Sequence, residues 1–363
     1  MFATYVHDFD PVIFEIAWGI ALRWYGLAYL AGFLGGYVLL KRLAERKLWV
    51  LEPAKTADFI AAAALLGVFI GGRLGYVFLY MHDGIFIKTS KIADSEFSIW
   101  AYLAFWNFVE FNQTWWQEIS SNPGSIFKVW QGGMASHGGI LGLMIFTFFY
   151  AKKHKVSWTG LGDGLCVVAP LGLMCGRLAN FINGELYGRI AHGLPWAVKF
   201  PSAFGDSKAP ESGQLHSAFQ AALEADPGML NSDRIDDYGK FQILTEANRE
   251  SDAVNQAIEP FLEPRHPSQL YEGLLEGGVL LAILWIVRIK FPKAPNGLLT
   301  GLFFGLYATF RIFCEQFREP DVAWVIDGVL TKGQFLSIFM YVFAAAFLGH
   351  AYKTYKRSKA SSA

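Results

Sequence analysis

Two stretches of the sequence combine arginine, glutamate and tyrosine at spacings that could bind an anion. In the apolar run YATFRIFCEQFR, Tyr307, Arg311, Glu315 and Arg318 recur at intervals of four, four and three residues, which places them on one face of a helix. The planar guanidinium of arginine binds phosphate or carboxylate through paired hydrogen bonds. This stripe is therefore a candidate anion site, or else a ladder of buried ion pairs that only fastens helices.

The second stretch, GRLANFINGELYGR at 176–189, directly follows the apolar run GLCVVAPLGLMC. It places arginine, asparagine and glutamate side chains at a boundary where a membrane helix would end. One interpretation is a polar helix end that meets water. The other is a binding loop, because its glycines would let the chain turn back close to a bound group.

Ionisable residues recur within the apolar runs, where each costs roughly 2.5 to 3.5 kcal/mol to insert. At about 1.5 Å per residue, all of them fall in the outer half of the bilayer. Arginines outnumber the acids in this set, which predicts an anionic ligand at that depth. The residues are Arg23, Arg73, His137, Arg177, Glu272, Glu276, Arg311, Glu315 and Arg318.

His137 is the side chain best suited to accept a proton at neutral pH, although a packing role is the alternative. No second histidine or cysteine lies at metal-ligand spacing, so we expect no metal and no cofactor. The three cysteines lie inside apolar runs and are interpreted as packing residues. The formal net charge of zero gives no indication of nucleic-acid binding.

The composition is that of a membrane protein, since 53% of the residues are hydrophobic and only 17% are charged. Crossing a hydrocarbon core takes about 17 to 25 mostly apolar residues. Seven runs satisfy this requirement, which predicts an all-α integral membrane protein with seven transmembrane helices. The predicted spans are 18–40, 57–81, 132–151, 159–178, 267–289, 297–318 and 333–352.

Short basic segments follow every second span and predict the orientation. They are KRLAERK at 41–47, KKHK at 152–155, RIKFPK at 288–293 and KTYKRSK at 353–359. Because lysine and arginine in short loops stay in the cytoplasm, the N-terminus is predicted to be periplasmic and the C-terminus cytoplasmic.

Two longer segments then lie on the outer side. The segment 82–131 contains WW and FWNF, which is typical of an arm lying on the outer headgroup layer. The segment 189–266 is predicted to be an outer-face insertion. Its part at 200–263 is rich in acids and turn residues, and we interpret it as an irregular solvated insertion or a small extracytoplasmic cap.

Glycines four residues apart in GVFIGGRLG, with Gly138 and Gly142, predict close packing of the second and third spans. That packing would turn Arg73 and His137 inward.

Several blocks of the sequence resemble the bacterial prolipoprotein diacylglyceryl transferases. GRLANFINGELYG at 176–188 is similar to that family's signature. Ala179 stands where many members have glycine, and the outer loops 82–131 and 200–263 are longer than the family's compact versions. The other matching blocks, in the family's order, are LRWYGLAY at 22–29, GGRLGYVFLY at 71–80, GGMASHGG at 132–139, RHPSQLYE at 265–272, YATFRIFCEQFREPD at 307–321 and LTKGQFLS at 330–337.

The resemblance implies an enzyme of the bacterial cytoplasmic (inner) membrane, with its active site facing the outer leaflet and periplasm. The implied partners are phosphatidylglycerol, the lipobox cysteine of a prolipoprotein signal peptide and the lipid bilayer. The implied reaction transfers the diacylglyceryl group to that cysteine thiol, forms a thioether and releases glycerol phosphate. It would be the first step of lipoprotein maturation.

The resemblance also implies roles for individual residues. Arg177 and Arg311 would bind the phosphate, and His137 would be the base or proton relay, unless arginine and a water lower the thiol's pKa instead. The residues that would shape or support the headgroup site are Tyr25, Asn180, Glu185, Gly188, Tyr307, Glu315 and Arg318.

Two other functions would also use a cationic cavity within the membrane. One is a phospholipid transferase with a different acceptor, which needs no thiol peptide. The other is a lipid transporter or flippase, which should have related halves or polar groups at the midplane. Neither feature is found in the sequence.

Overall fold

The computed structural model of the chain is mostly helical. It describes residues 4–16, 20–79, 120–121, 124, 133, 135–229, 236–319 and 331–361. The predicted outer-face arm at 82–131 lies outside these residues, apart from 120, 121 and 124.

The chain divides into two compact units, each described separately below. The first consists of Met1–Gly32, Pro170–Ala282 and Tyr307–Asp321. The second consists of Phe33–Ala169, Ile283–Leu306 and Val322–Ala363.

Five helical segments within the described residues are long and apolar enough to cross a membrane. A shorter apolar helix at Leu298–Cys314 and the helix Ser136–His154 correspond to the other two predicted spans. The chain is thus a mostly helical protein with the helices of an integral membrane protein, and the count of seven crossings stays a prediction. The five segments are Trp24–Glu45, Pro53–Phe78, Trp158–Ile182, Ser268–Lys290 and Gly333–Ala360.

The first helix, α1 (Trp24–Glu45), begins later than the predicted span 18–40. Strands β2 (Val12–Ile16) and β3 (Ile20–Arg23) form an antiparallel hairpin before it. Pro11 O accepts a hydrogen bond from Trp24 N at 3.1 Å. Placing Arg23 inside the first span was therefore wrong, because this residue is exposed at the end of a strand. Branched residues such as Val12 and Ile16 favour strand as readily as helix in a short apolar run.

The next helices follow the chain in order. In the second unit they are α2 (Thr56–Ala62), a π-helical segment (Ala63–Phe69), α3 (Ile70–Leu79) and α4 (Ser136–His154). Helix α5 is Trp158–Ile182. The last four are α9 (Ser268–Glu272), α10 (Leu280–Lys290), α11 (Leu298–Cys314) and α12 (Lys332–Ser361), and a second π-helical segment (Gly273–Val279) joins α9 to α10.

The predicted close packing of the second and third spans is confirmed in the second unit. A methyl group placed on Gly75 would lie 2.4 Å from the Cα of Gly138, and one on Gly71 would lie 2.8 Å from the Cα of Gly142. Only glycine allows backbones to approach this closely. Arg73 is buried beside this contact, and its Nη1 donates to Gly133 O at 3.0 Å.

The described residues of the segment 200–263 are folded, so its interpretation as an irregular insertion was wrong; its place on the outer face stays a prediction, and we call the segment the cap. The cap contains the helices α6 (Leu215–Ala225), α7 (Asp237–Glu250) and α8 (Asp252–Ile258). Its apolar core includes Phe204, Phe219, Leu244 and Ile258. The many acidic residues of this segment lie between apolar positions at helical spacing, which concealed the core in the composition.

The N-terminus pairs with the cap through a small sheet in the first unit. Strand β1 (Tyr5–Val6) pairs in parallel with β4 (Val198–Lys199), which pairs antiparallel with β5 (Pro264–Arg265). Val6 is part of the cap's apolar core. Strand β1 therefore belongs to the same fold as β4, β5 and the described part of the cap.

His7 lies in an aromatic environment beneath this sheet. Its Nε2 is 2.7 Å from Phe181 O, and its ring contacts those of Phe181 and Phe200. Since a carbonyl oxygen only accepts, Nε2 carries the proton that is donated. Burial lowers the pKa of His7 from 6.5 to about 4, because the charged ring would lose its hydration.

Stability of the first unit is expected to fall between pH 6.5 and pH 4. The unfolded chain binds the His7 proton below its pKa of 6.5, whereas the folded chain does not until about pH 4. Stabilisation is therefore complete above pH 6.5 and lost as the pH falls through this window. Melting in detergent at pH 7.5 and pH 5 should reveal a loss of about 2 kcal/mol at pH 5.

His7→Gln should reduce this loss, because glutamine donates to Phe181 O without titrating. His216→Gln is the matched control, since His216 is exposed, and it should keep the full pH dependence. Equal pH dependence in wild type and His7→Gln would contradict the assignment.

Candidate active site

Glycines bring two acidic side chains to the end of helix α5 in the first unit. A methyl group on Gly277 would lie 2.5 Å from Met174 Cβ, and one on Gly273 would lie 3.3 Å from Arg177 Cβ. In the sequence YEGLLEGG, a glutamate precedes each of these glycines. Close packing of α5 with α9 and the π-helical segment therefore places Glu272 and Glu276 beside Arg177.

Glu272 is the centre of a buried set of charges. Arg177 Nε lies 2.9 Å from its Oε2, and Arg318 Nη1 lies 3.1 Å from its Oε1. Arg311 Nη1 donates a third charge-assisted hydrogen bond to the same carboxylate. We call the whole set the ionic cluster, and its members are Arg177, Arg311, Arg318, Glu272, Glu276 and Glu315.

Glu276 is held more loosely than Glu272. Its oxygens lie 3.6 Å from Arg177 Nη2 and 3.5 Å from Arg311 Nη1, and neither accepts a hydrogen bond within the described part of the chain. Glu315 is closer to its partner, with Oε2 at 3.1 Å from Arg311 Nη2. The contacts of Glu276 are therefore the weakest in the ionic cluster.

The ionic cluster contains three arginines and three glutamates, so its formal charges balance. The predicted surplus of arginine was wrong for this part of the site, because Glu272 and Glu276 pair with Arg177 from a neighbouring helix. Buried charges require such pairing, since an isolated ion loses its hydration without compensation. Of the proposed ladder, the pair of Arg311 with Glu315 is present, whereas Arg318 pairs with Glu272 from another helix.

Exposure separates the two signs of charge. The side chains of Arg177 and Arg311 are 17% and 14% exposed, whereas those of Glu272 and Glu276 are fully buried. The accessible edge of the ionic cluster is therefore cationic although its sum is neutral. An incoming anion would meet guanidinium groups first.

The predicted stripe holds for Arg311 and Glu315 but not for Arg318, because α11 ends at Cys314 and Arg318 lies beyond it in a β-bridge with Gly188. Arg311, Glu315 and Arg318 all contribute to the ionic cluster. Glu315 N donates to Arg311 O at 3.0 Å, so the helical turn continues past the end of α11. Tyr307, one turn before Arg311, is partly buried.

A second polar group surrounds Glu185. Tyr25 donates to Glu185 Oε1 at 2.6 Å, and Asn180 Nδ2 donates to the same oxygen at 2.8 Å. The hydroxyl of Tyr25 also accepts from Asn180. Tyr25, which is far away in the sequence, is thus brought to Asn180 and Glu185, and neutral donors rather than arginine hold this carboxylate.

The loop after α5 turns back and is fixed by hydrogen bonds. Gly184 and Leu186 have φ values of 67° and 57°, a conformation that suits glycine and strains leucine. Gln269 Nε2 donates to Glu185 O at 2.7 Å, and Ser268 Oγ donates to Leu186 O at 3.1 Å. The residues after α5, for which a polar helix end in water was one interpretation, form a partly buried loop that is held by hydrogen bonds.

Gly188 lies where three backbone segments meet. Its N donates to His266 O at 2.9 Å, and the next residue donates from N to Phe317 O at 2.8 Å. A methyl group on Gly188 would lie 2.4 Å from His266 O and 2.5 Å from Phe317 O. Glycine is therefore required by space, since both obstacles are backbone atoms.

Two residues predicted at this depth belong to the second unit. They are Arg73 and His137, and the side chain of His137 lies outside the described residues. A common site for them with Arg177 stays a prediction.

Sequence reasoning missed several residues that build the site. Glu272 and Glu276 were recognised as charged but not as partners of Arg177, although YEGLLEGG gave a signal for both. Gln269 had no signal beyond its place in a matching block. Arg265 and Glu211 form a buried ion pair with contacts of 2.9 and 2.8 Å, which joins the cap to the strand before α9.

The fold and site define a class: a helical membrane protein with a buried ionic cluster whose arginines reach the surface. The family model described as prolipoprotein diacylglyceryl transferase matches residues 11–350. The chain therefore belongs to the prolipoprotein diacylglyceryl transferase family.

Relatives match over nearly their whole length. A protein of Bdellovibrio bacteriovorus is 35% identical over 352 residues, which cover 93% of this chain and 91% of the relative. One of Serratia proteamaculans is 35% identical over 348 residues, covering 95% and 94%. One of Salmonella arizonae is 35% identical over 363 residues, covering 97% of each. All three are named phosphatidylglycerol–prolipoprotein diacylglyceryl transferase.

Gly188→Ala is expected to disrupt the junction of the three segments. Its Cβ would overlap two backbone oxygens, and relieving such an overlap costs about 1 to 3 kcal/mol or more. The melting temperature in detergent should fall, and any activity should fall with it.

Gly176→Ala is the matched control, because a methyl group there has no neighbour within 4 Å. Alanine in a helix should leave its stability unchanged or slightly higher. If the two variants melted alike, the steric explanation for Gly188 would be wrong.

Proposed function

We propose that the ionic cluster binds the phosphate of phosphatidylglycerol and that the chain acts through it as a diacylglyceryl transferase. The enzyme transfers the diacylglyceryl group of phosphatidylglycerol to the lipobox cysteine of a prolipoprotein, the first step of lipoprotein maturation. The observation that carries the site assignment is the exposure of Arg177 and Arg311 in front of buried glutamates.

The reaction sets two physical tasks. The substrate thiol must lose its proton, because the thiolate is the nucleophile and a free thiol has a pKa of about 8.5. The sulfur then forms a bond to the glyceryl carbon while the bond from that carbon to the phosphate oxygen breaks. The departing glycerol phosphate carries one more negative charge than the phosphodiester did. Groups that stabilise this developing charge contribute strongly to such a step.

Arg177 and Arg311 would perform the second task. Each directs a guanidinium nitrogen to Glu276 at 3.5 to 3.6 Å, beyond a good hydrogen bond. A phosphate oxygen can displace these loose contacts while Glu272 still holds both arginines. Binding would then exchange a weak ion pair for charge-assisted hydrogen bonds and preserve the helix packing.

Other residues position these groups. Arg318 and Glu315 hold Glu272 and Arg311 in place, and Tyr307 lies one turn from Arg311 on the same face. Tyr25, Asn180 and Glu185 form a neighbouring polar group that suits the hydroxyls of the glycerol headgroup. Gly188 fixes the loop that carries Glu185.

The first task, proton removal, is assigned to His137. Its neutral imidazole can accept the thiol proton near pH 7. The alternative is that Arg311 and a water lower the pKa of the thiol. The chain's own cysteines have no role in the step, because the nucleophile belongs to the substrate.

The proposed setting is the bacterial inner membrane, crossed seven times, with the N-terminus and cap in the periplasm. The basic segments at 41–47, 152–155, 288–293 and 353–359 support this orientation. The active site would then face the outer leaflet.

Purified protein should add a diacylglyceryl group to a lipobox peptide in the presence of phosphatidylglycerol, detected as a mass gain at cysteine. Arg177→Ala and Arg311→Ala should each lower the rate by at least about a hundredfold, the scale for losing a donor to developing charge. Arg42→Gln, at an exposed position of α1, should keep the wild-type rate.

A peptide with serine in place of cysteine should gain no mass, and equal gain would exclude thiol transfer. Because each arginine also balances buried acids, Arg311→Gln should be combined with Glu276→Gln to restore neutrality. Recovered melting temperature without recovered activity would assign Arg311 to the phosphate. Recovery of both would limit Arg311 to a structural role.

The orientation can be tested with single cysteines on exposed positions. A membrane-impermeant maleimide should label His216→Cys in the cap of intact cells, whereas Lys152→Cys should be labelled only after lysis. The unsubstituted protein measures the background from the native cysteines. The reverse labelling pattern would show that the orientation is inverted.

A further inference from the structure

A cavity of about 240 Å³ lies at one end of the helices in the second unit. It is formed by the turn after α1, the beginning of α5 and the turn between α10 and α11. Nothing in the proposed reaction uses it. Its lining includes Lys47, Trp49, Asp163, Arg288, Lys293 and Asn296.

The cavity has an excess of positive charge. Three cations, Lys47, Arg288 and Lys293, face one acid, Asp163. Lys47 and Lys293 are exposed, and neither has an ion-pair partner in the part of the chain that the structure describes.

The carboxylate of Asp163, the one acid in the lining, already accepts hydrogen bonds from other groups. Asp163 is buried, and its oxygens accept hydrogen bonds of 2.8 Å from Gly297 N, Thr300 N and Thr300 Oγ1. These bonds satisfy backbone donors at the beginning of α11, where the helix dipole also favours a negative charge. Among the described residues, Asp163 therefore bonds to α11 and makes no ion pair with Lys47 or Lys293.

Two buried donors of the lining have no acceptor. Trp49 Nε1 and Arg288 Nε make no hydrogen bond to any described residue. Both residues are buried, with only 9% of each exposed. Arg288 Nη2, by contrast, donates to Pro292 O at 3.1 Å. Buried polar groups are nearly always paired, so two unpaired donors in one cationic cavity indicate a ligand that supplies acceptor oxygens.

We infer that this cavity binds the phosphate group of an anionic phospholipid at a place separate from the ionic cluster. A phosphate supplies several acceptor oxygens and a negative charge. A lipid is favoured as its source, since Ile289 and Phe291, the sequence neighbours of the lining residues Arg288 and Pro292, are 40% and 59% exposed. Exposed apolar side chains next to cations are typical of the headgroup layer.

The bound lipid would join the turn of Lys47 to the turn of Lys293. Both turns follow the C-terminal ends of membrane helices, so a shared phosphate would hold α1 and α10 at one end. The inference does not depend on the transferase reaction. In the proposed orientation both turns lie on the cytoplasmic side, so the cytoplasmic leaflet would supply the lipid.

The test uses the full chain in a neutral detergent, titrated with dioleoyl phosphatidic acid or dioleoyl phosphatidylcholine. Phosphatidic acid should raise the melting temperature of the wild type more than phosphatidylcholine, whose choline cancels the phosphate charge. In Lys47→Gln/Lys293→Gln the apparent Kd should weaken by about tenfold or more, since each lysine near a headgroup contributes about a factor of five to ten. Transferase activity of this variant should stay unchanged.

The matched control is Lys152→Gln/Lys153→Gln, which removes the same charge from exposed positions at the end of α4. It should bind like the wild type. Equal binding by the cavity variant and the wild type, or equal weakening in the control, would overturn the site. A shift with inorganic phosphate alone that the cavity variant loses would support the phosphate site and overturn a lipid as its source.

Discussion

The first unit depends on one buried carboxylate. Glu272 is fully buried and is contacted by Arg177, Arg311 and Arg318, which come from the end of α5 and from the end of α11 and the turn after it. Removing a buried charge from its partners costs about 3 to 5 kcal/mol. The three segments must therefore stay together for any of these ions to be tolerated in an apolar setting, and this requirement determines where the arginines can reach the surface.

The two carboxylates of the proposed site differ because their donors differ. Glu272 is held by arginines, whereas Glu185 is held by the neutral donors of Tyr25 and Asn180. The group around Glu272 therefore presents cationic side chains. The group around Glu185 presents a polar surface with no cation bound to its carboxylate. In the proposed function, the two groups would bind the anionic phosphate and the hydroxyl groups of one headgroup.

Hydropathy and spacing predicted the membrane helices, the shared face of Arg311 and Glu315 and the glycine contact of Gly75 with Gly138. These features depend on local periodicity, which a sequence displays directly. The pairing of Arg177 with Glu276 depends on which helix faces meet, and the sequence contains that information only indirectly through Gly273 and Gly277. The hairpin before α1 was missed because its apolar residues continue into the helix. The cap was underestimated because acidic residues separate its core positions.

The parallel pairing of β1 with β4 has a consequence for biosynthesis. Strand β1 is synthesised before α1, but its partner, Val198–Lys199, is made only after the chain has passed through α5. Until then Tyr5–Val6 have no strand to join, and the closure of so long a loop is slow. Strand β1 therefore pairs only after the helices that separate it from β4 have been synthesised, and the core of the cap is completed by a segment made long before it.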